Sequence, residues 1–309
     1  MAPPSRNRHR GHAAATLAGA LALLVLGLLL ASCGGGTPSG QSTGTRYYVS
    51  LGDSYAVGFQ PSPQPGGATG GYTAVVASRT HLTLVNFGCG GATTTSILRT
   101  DGCTHPYGPP AATSRSSYPH QTQAAAAEAF LRAHRGHVGL VTVSIGGNDV
   151  TDCAKNADPV SCVGGATTEI KAHVSTLAKG LRAAAGTGVP ILGLTYPDVI
   201  LGEWVYPPSS PDTTLASLSV TAFKSLINPA LRSAYATGGA RFVDVTSHTA
   251  AYVPLTRTTA LAPYGTIPVA VATVCKLTWY CKLGNIHATT TGYHLIGHEI
   301  VAAYRVGPH

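Results

Sequence analysis

Tyr47-Tyr48-Val49-Ser50-Leu51-Gly52-Asp53-Ser54-Tyr55 reads as a short apolar strand that stops at a small residue and turns, with a serine at the bend. Working outward from it, Leu82–Asn86, Val138–Ile145, Ile191–Thr195 and Arg241–Val245 are further β-branched or apolar runs of strand length. Helical patterns over Gly71–Ser78, Gln121–Arg135, Thr167–Ala185, Leu215–Ala236 and Thr290–Tyr304 fall between and after them. Such alternation predicts right-handed crossovers and a parallel sheet with helices on both faces, a three-layer α/β/α sandwich of about five strands. Neither an internal repeat nor a second core is expected. Two stretches, Val199–Pro211 and Ala250–Gly284, are rich in Pro, Tyr and Thr without clean periodicity, and read either as walls of a site or as surface loop.

Of the 309 residues 44% are hydrophobic and 10% charged, a balance that buries a core and excludes a disordered chain. The 37 glycines and 21 prolines make up about a fifth of the chain and call for many turns. Arg6, Arg8 and Arg10 precede an uncharged apolar run from Ala13 to Ala31, the pattern of a signal peptide over residues 1–32. Without it the net charge drops from +8 to +5, scattered with no basic stripe, so nucleic acid is not an expected partner. Leu30-Ala31-Ser32-Cys33 resembles a bacterial lipobox, which would lipidate Cys33 and place residues 33–45 as a Gly/Ser/Thr tether between a membrane and a domain over residues 46–309. An uncleaved anchor is the alternative, and in either case the domain lies outside the cytoplasm, lipid-anchored or secreted. Six further cysteines fall as Cys89/Cys103, Cys153/Cys162 and Cys275/Cys281, and of their 15 connectivities the short-loop pairing is the simplest. No C-x₂-C spacing favours zinc, and no metal or cofactor is called for.

Three blocks follow strand ends. Gly52-Asp53-Ser54 follows the first, Asn86-Phe87-Gly88-Cys89-Gly90-Gly91-Ala92-Thr93 the second, and Gly146-Gly147-Asn148-Asp149 the third. If the first strand lies between the other two, Ser54, Gly91 and Asn148 converge on the rim where open α/β sheets bind ligands. Acyl transfer develops an oxyanion, and the N–H groups of Ser54 and Gly91 with the Asn148 amide are suitable donors. His287, ahead of the last helix in Asn285-Ile286-His287, would return to this rim as general base toward Ser54 and then as acid toward the leaving alcohol.

These blocks, in this order, resemble the SGNH (GDSL-type) hydrolase family from about Tyr47 to Tyr304, and look like those of secreted bacterial esterases and lipases with three local disulfides. The resemblance implies a flavodoxin-like sandwich, Ser54 as nucleophile, Gly91 and Asn148 as oxyanion donors, His287 as base, and an ester or lipid substrate handled by a monomer. One departure is visible: the family's acidic residue three positions before the His is replaced by Gly284, with Asn285 beside it. The expectation is a Ser54–His287 dyad whose ring is oriented by a main-chain carbonyl near Gly284 or, as second choice, by the Asn285 side-chain oxygen. Asp244, 43 positions upstream, is the nearest preceding acid and the alternative.

Other readings of the same residues are weaker. Ser54 alone would be a helix cap, Asn148 a turn residue, and Asp149 a cap or hydrogen-bond anchor. Gly88, Gly90 and Gly91 fail as a dinucleotide loop because Thr93 stands where the third glycine belongs, and neither a P-loop lysine nor a G-x-S-x-G elbow occurs. His294 and His298 share one helix face, which an amphipathic helix explains without a metal. Trp204, Tyr206 and Tyr252 are candidates to line an acyl pocket. Competing functions on this fold are a carbohydrate or cell-wall acetyl-esterase and a non-catalytic binding lipoprotein.

Overall fold

In the computed structural model, which describes residues 44–61, 70–103 and 116–307, the central sheet is built from strands that the sequence buries on both faces. β1 (Tyr47–Gly52) leads into α1 (Ser54–Val57), then α2 (Gly71–Thr80), β2 (Thr83–Asn86), α3 (Ser96–Arg99), α4 (Gln123–Ala133) and β3 (Val138–Ser144). Next come α5 (Gly147–Thr151), α6 (Pro159–Ala185), β4 (Ile191–Leu194), a 3₁₀ turn at Val199–Trp204, α7 (Thr213–Ala222), α8 (Asn228–Ala236), β5 (Arg241–Val243) and α9 (Val245–His248). The chain continues through β6 (Thr258–Leu261), β7 (Gly265–Pro268), α10 (Val269–Leu277), α11 (Tyr280–Leu283) and α12 (Thr290–Val306).

The five strands run parallel in the order β2-β1-β3-β4-β5. All seven residues of β3 are buried, as a central strand covered on both faces requires, whereas the edge strands β2 and β5 are short and half-buried. Winding reverses at β1. Right-handed crossovers therefore put α2 on one face and α4, α6 and α8 on the other, and α12 packs on α2. The crevice opens at the carboxyl ends of β1 and β3, where Gly52 pairs with Ser144. The turns carrying Ser54 and Asn148 thus leave the sheet side by side.

Three differences from expectation have local causes. α6 starts at Pro159 and not Thr167, because Asp158 caps it by accepting from Ser161 N–H and Pro159 suits a first turn. The single helix expected over Leu215–Ala236 is split by a π turn at Phe223–Ile227 just ahead of Pro229, whose missing N–H cannot continue the ladder. A satellite apolar cluster, absent from the sequence reading, joins Leu201 of the 3₁₀ turn to Ile267, Val271 and Val274 around the β6–β7 hairpin and α10. The three disulfides form as expected, Cys89–Cys103, Cys153–Cys162 and Cys275–Cys281. Residues 1–32, Cys33 and nearly all of the tether lie outside the described residues.

Candidate active site

Ser54 opens α1 directly after β1, so its side chain stands at the crevice. The bend needs a glycine before it: Gly52 has φ 136°, and a Cβ there would collide with the carbonyl oxygen of Ser144. Past Asn86 the chain still donates to β1, Phe87 N–H to Ser50 O (2.8 Å) and Cys89 N–H to Gly52 O (2.9 Å), and the buried Gln123 carboxamide serves the remaining Gly52 N–H. Gly52 N–H donates to Gln123 Oε1 (2.6 Å) and Gln123 Nε2 donates back to Gly52 O (3.1 Å). Asp53, also buried, accepts from Tyr55 N–H (2.9 Å) and from the Tyr196 hydroxyl (2.6 Å). Burial pushes its carboxyl up to about 7, against the pull of those two donors.

His287 arrives from the far end of the chain. Asn285 Oδ1 accepts the backbone N–H of His287 at 3.1 Å, an Asx turn that leaves the same oxygen 2.8 Å from His287 Nδ1. Because the backbone N–H can only donate, the atom facing it is the amide oxygen, and Nδ1 must carry a proton to meet it. His287 Nε2 is then the acceptor, 2.8 Å from Ser54 Oγ. Tyr55 fastens this loop by donating its hydroxyl to Ile286 O (2.6 Å), with its ring stacked on the imidazole at 5.9 Å and Phe59 on hand at 4.4 Å. Burial lowers His287 to about 4, so the ring is neutral near pH 7.

The orienting atom differs from the favoured expectation. Gly284 ends α11 in the left-handed region (φ 61°) and donates its N–H to Tyr280 O, while the second choice, Asn285, faces Nδ1. Asp244 is engaged elsewhere: it caps α9 through Ser247 N–H (2.9 Å) and accepts from Asn228 Nδ2 (2.9 Å).

Asn148, in α5, donates one amide hydrogen to Ala92 O (2.8 Å), which leaves the second for a ligand oxygen. That bond also seats the loop of Gly91, an exposed residue with φ 73°. Asp149 is a hydrogen-bond anchor: both its oxygens accept Thr94 N–H (3.1 and 3.0 Å), and Oδ1 takes the Thr94 hydroxyl (2.6 Å). Two turns, one from each side of β1, are thereby locked together beside Ser54.

The sequence profile of the GDSL-like lipase/acylhydrolase family matches residues 50–295, a span that holds every one of these groups. The chain belongs to the GDSL-like lipase/acylhydrolase family. It is a carboxylic ester hydrolase. Similar solved structures include an extracellular lipase from Streptomyces rimosus (18% identity, 84% of this chain and 100% of that one, TM-score 0.48). Others are a phospholipase A1 from Streptomyces albidoflavus (18%, 67% and 82%, TM-score 0.43) and a carbohydrate esterase family 2 enzyme from Corynascus thermopiles (15%, 84% and 67%, TM-score 0.38). No curated protein sequence matches the chain.

A solvent-open apolar trench runs from Ser54 and Asn148 of this GDSL-like hydrolase between α6 and α7. Trp204, Tyr206 and Tyr252 do not line it: Trp204 packs on the satellite cluster, Tyr206 against Tyr280, and Tyr252 accepts from Asn228. Its walls are mostly apolar side chains scattered over α5, α6, α7, the 3₁₀ turn and the π turn, which carry no motif. His294 and His298 are both exposed on α12, and among the described residues no three His, Cys, Asp or Glu are grouped to hold a metal. Gln123 and Tyr196 are positioning residues that no sequence signal marks, and Asp53 stood in a quoted motif without a role.

Proposed function

We propose that the enzyme is a serine esterase or lipase working through an acyl-enzyme on Ser54. The supporting observation is the relay Asn285 Oδ1, His287 Nδ1, His287 Nε2, Ser54 Oγ, with 2.8 Å at each of its two hydrogen bonds. Ser54 Oγ bonds to the ester carbonyl carbon while its proton passes to Nε2. The oxyanion is held by the N–H groups of Ser54 and Gly91 and the free Asn148 amide hydrogen. Collapse expels the alcohol, which takes the proton from Nε2, and water repeats the sequence to release the acid. Asn285 keeps the proton on Nδ1 throughout, so a neutral orienting group supplies the correct tautomer without a negative charge. The three disulfides support an extracytoplasmic site of action, and the Arg-led apolar run ending at Cys33 supports a signal peptide and a lipidated mature N-terminus that holds the domain at a membrane by its tether.

Labelling with an active-site-directed fluorophosphonate tests the chemistry: the wild type should be labelled and Ser54→Ala should not, with turnover lost and circular dichroism unchanged. Labelling that survives in the alanine variant would reject Ser54 as nucleophile. Mass spectrometry of the mature N-terminus separately tests Cys33, and an unmodified residue upstream of it excludes lipidation.

A further inference from the structure

The trench starts at Ser54 and Asn148 and is bordered by Ile286, but His287 is not part of its wall. That asymmetry orients an ester. The alcohol must leave on the side from which Nε2 can protonate it, and the carbonyl oxygen must face the N–H donors, so the remaining substituent, the acyl chain, takes the trench. Its walls offer that chain little but hydrocarbon. The polar side chains beyond the catalytic end are bound within the protein: Thr151 donates its hydroxyl to Gly147 O (2.8 Å), Tyr196 donates to Asp53 (2.6 Å), and Ser219 lies 2.9 Å from both Asp198 Oδ2 and Ala216 O. A sugar hydroxyl placed there would lose its water without gaining a partner.

One wall has an unusual support. Ala154, Pro159 and Val160 sit inside the short loop closed by Cys153–Cys162, and Val163 follows it. The facing wall is Leu218 and Phe223 of α7 and the π turn. We propose that the trench is an acyl-chain channel for esters of unbranched fatty acids well beyond acetyl, and that the Cys153–Cys162 loop determines chain-length preference by fixing one wall of the channel. The inference rests on the esterase reading above.

Esters of p-nitrophenol with acetate, butyrate and octanoate, all below their aggregation limits, should show kcat/KM rising about fourfold for each methylene buried. Ethyl octanoate and octyl acetate are isomers, and the former should be the better substrate. Val160→Trp and Leu218→Trp, on opposite walls, should each lower the octanoate-to-acetate ratio of kcat/KM at least tenfold, and the Cys153→Ser/Cys162→Ser variant should lower it as well. Ratios within twofold of wild type in folded tryptophan variants, a flat chain-length profile, or preference for octyl acetate would overturn the channel. An unchanged ratio in the cysteine variant alone would overturn the role of the disulfide loop. Turnover of acetate with a flat profile removes only this inference, whereas no turnover and no fluorophosphonate labelling would remove the esterase reading and the channel with it.

Discussion

Replacing Asn285 by Asp isolates the contribution of a charge that this active site does without. The carboxylate keeps an acceptor for the His287 backbone N–H (3.1 Å) and for Nδ1 (2.8 Å), so the Asx turn and the tautomer persist. What changes is a negative charge in contact with the ring. Burial alone lowers wild-type His287 to about 4. A neighbouring opposite charge favours imidazolium by about 1–3 pKa units, so Asn285→Asp should bring the group to roughly 5–7. The acid limb of kcat/KM reports the free enzyme's essential base. Activity needs neutral His287 and is lost as pH falls through its pKa; the limb should therefore move from about 4 upward to roughly 5–7. On the plateau at pH 8 the two enzymes should agree within about tenfold, because the amide already presents its oxygen. The large loss of about 10⁴ seen when a triad carboxylate becomes an amide arises from the wrong tautomer, which this geometry avoids. The assay is kcat/KM for p-nitrophenyl butyrate from pH 3.5 to 9 on both proteins, with folding checked at each pH. A wild-type limb near 6.5, or an Asn285→Asp limb that does not move, would refute the reasoning.

Asn148→Ala should lower kcat by about 10²–10³ with little change in KM, since its spare amide hydrogen acts on the transition state; an equal rise in KM with kcat intact would assign it to ground-state binding. Asp244→Asn should change kcat less than about tenfold, its oxygens being committed to Ser247, Asn228 and the Arg232 ion pair, and a loss near 10⁴ in folded protein would contradict the Asn285 relay. Asp198 is fully buried with Oδ1 unpaired, and burial pushes it up to about 7. The single hydroxyl hydrogen of Ser219 has both Asp198 Oδ2 and Ala216 O to serve, an arrangement satisfied when Asp198 is protonated and donates to Ser219. With the folded pKa above the unfolded value of about 3.9, this contribution is complete below about pH 4 and is lost as pH rises through 7. Tm measured from pH 4 to 8 should fall more steeply for wild type than for Asp198→Asn, whose amide can make the same donation; Asp53, also raised to about 7, is common to both proteins and cancels in the difference. Parallel Tm profiles would show that Asp198 ionises without cost.

What the sequence disclosed and what it withheld follow from the range of the interactions involved. The five sheet strands were legible because each carries its own apolar or β-branched run, buried in the central strands and half-buried at the edges, and Ser54, Asn148 and His287 could be singled out because each sits in a compact block at a strand end or ahead of a helix. Most residues of β6 and β7 are exposed or half-buried, with Thr, Ala and Gly where the sheet strands carry an apolar run, so nothing in their composition marked them as strands. The positioning groups were invisible for a different reason. Gln123 reaches Gly52 across 71 residues, Tyr196 reaches Asp53 across 143, and Tyr55 reaches Ile286 across 231, contacts that exist only once strand order is known. Between these extremes stands Asn285. Its bond to the residue two places on is local, yet the choice between its side-chain oxygen and a main-chain carbonyl of Gly284 depends on which atom the Asx turn delivers to Nδ1. Local rules could place an acceptor near the ring and not say which one. The groups proposed to react are thus written in short motifs, while the glutamine and tyrosine side chains that hold their neighbours in place are contributed from distant parts of the sequence.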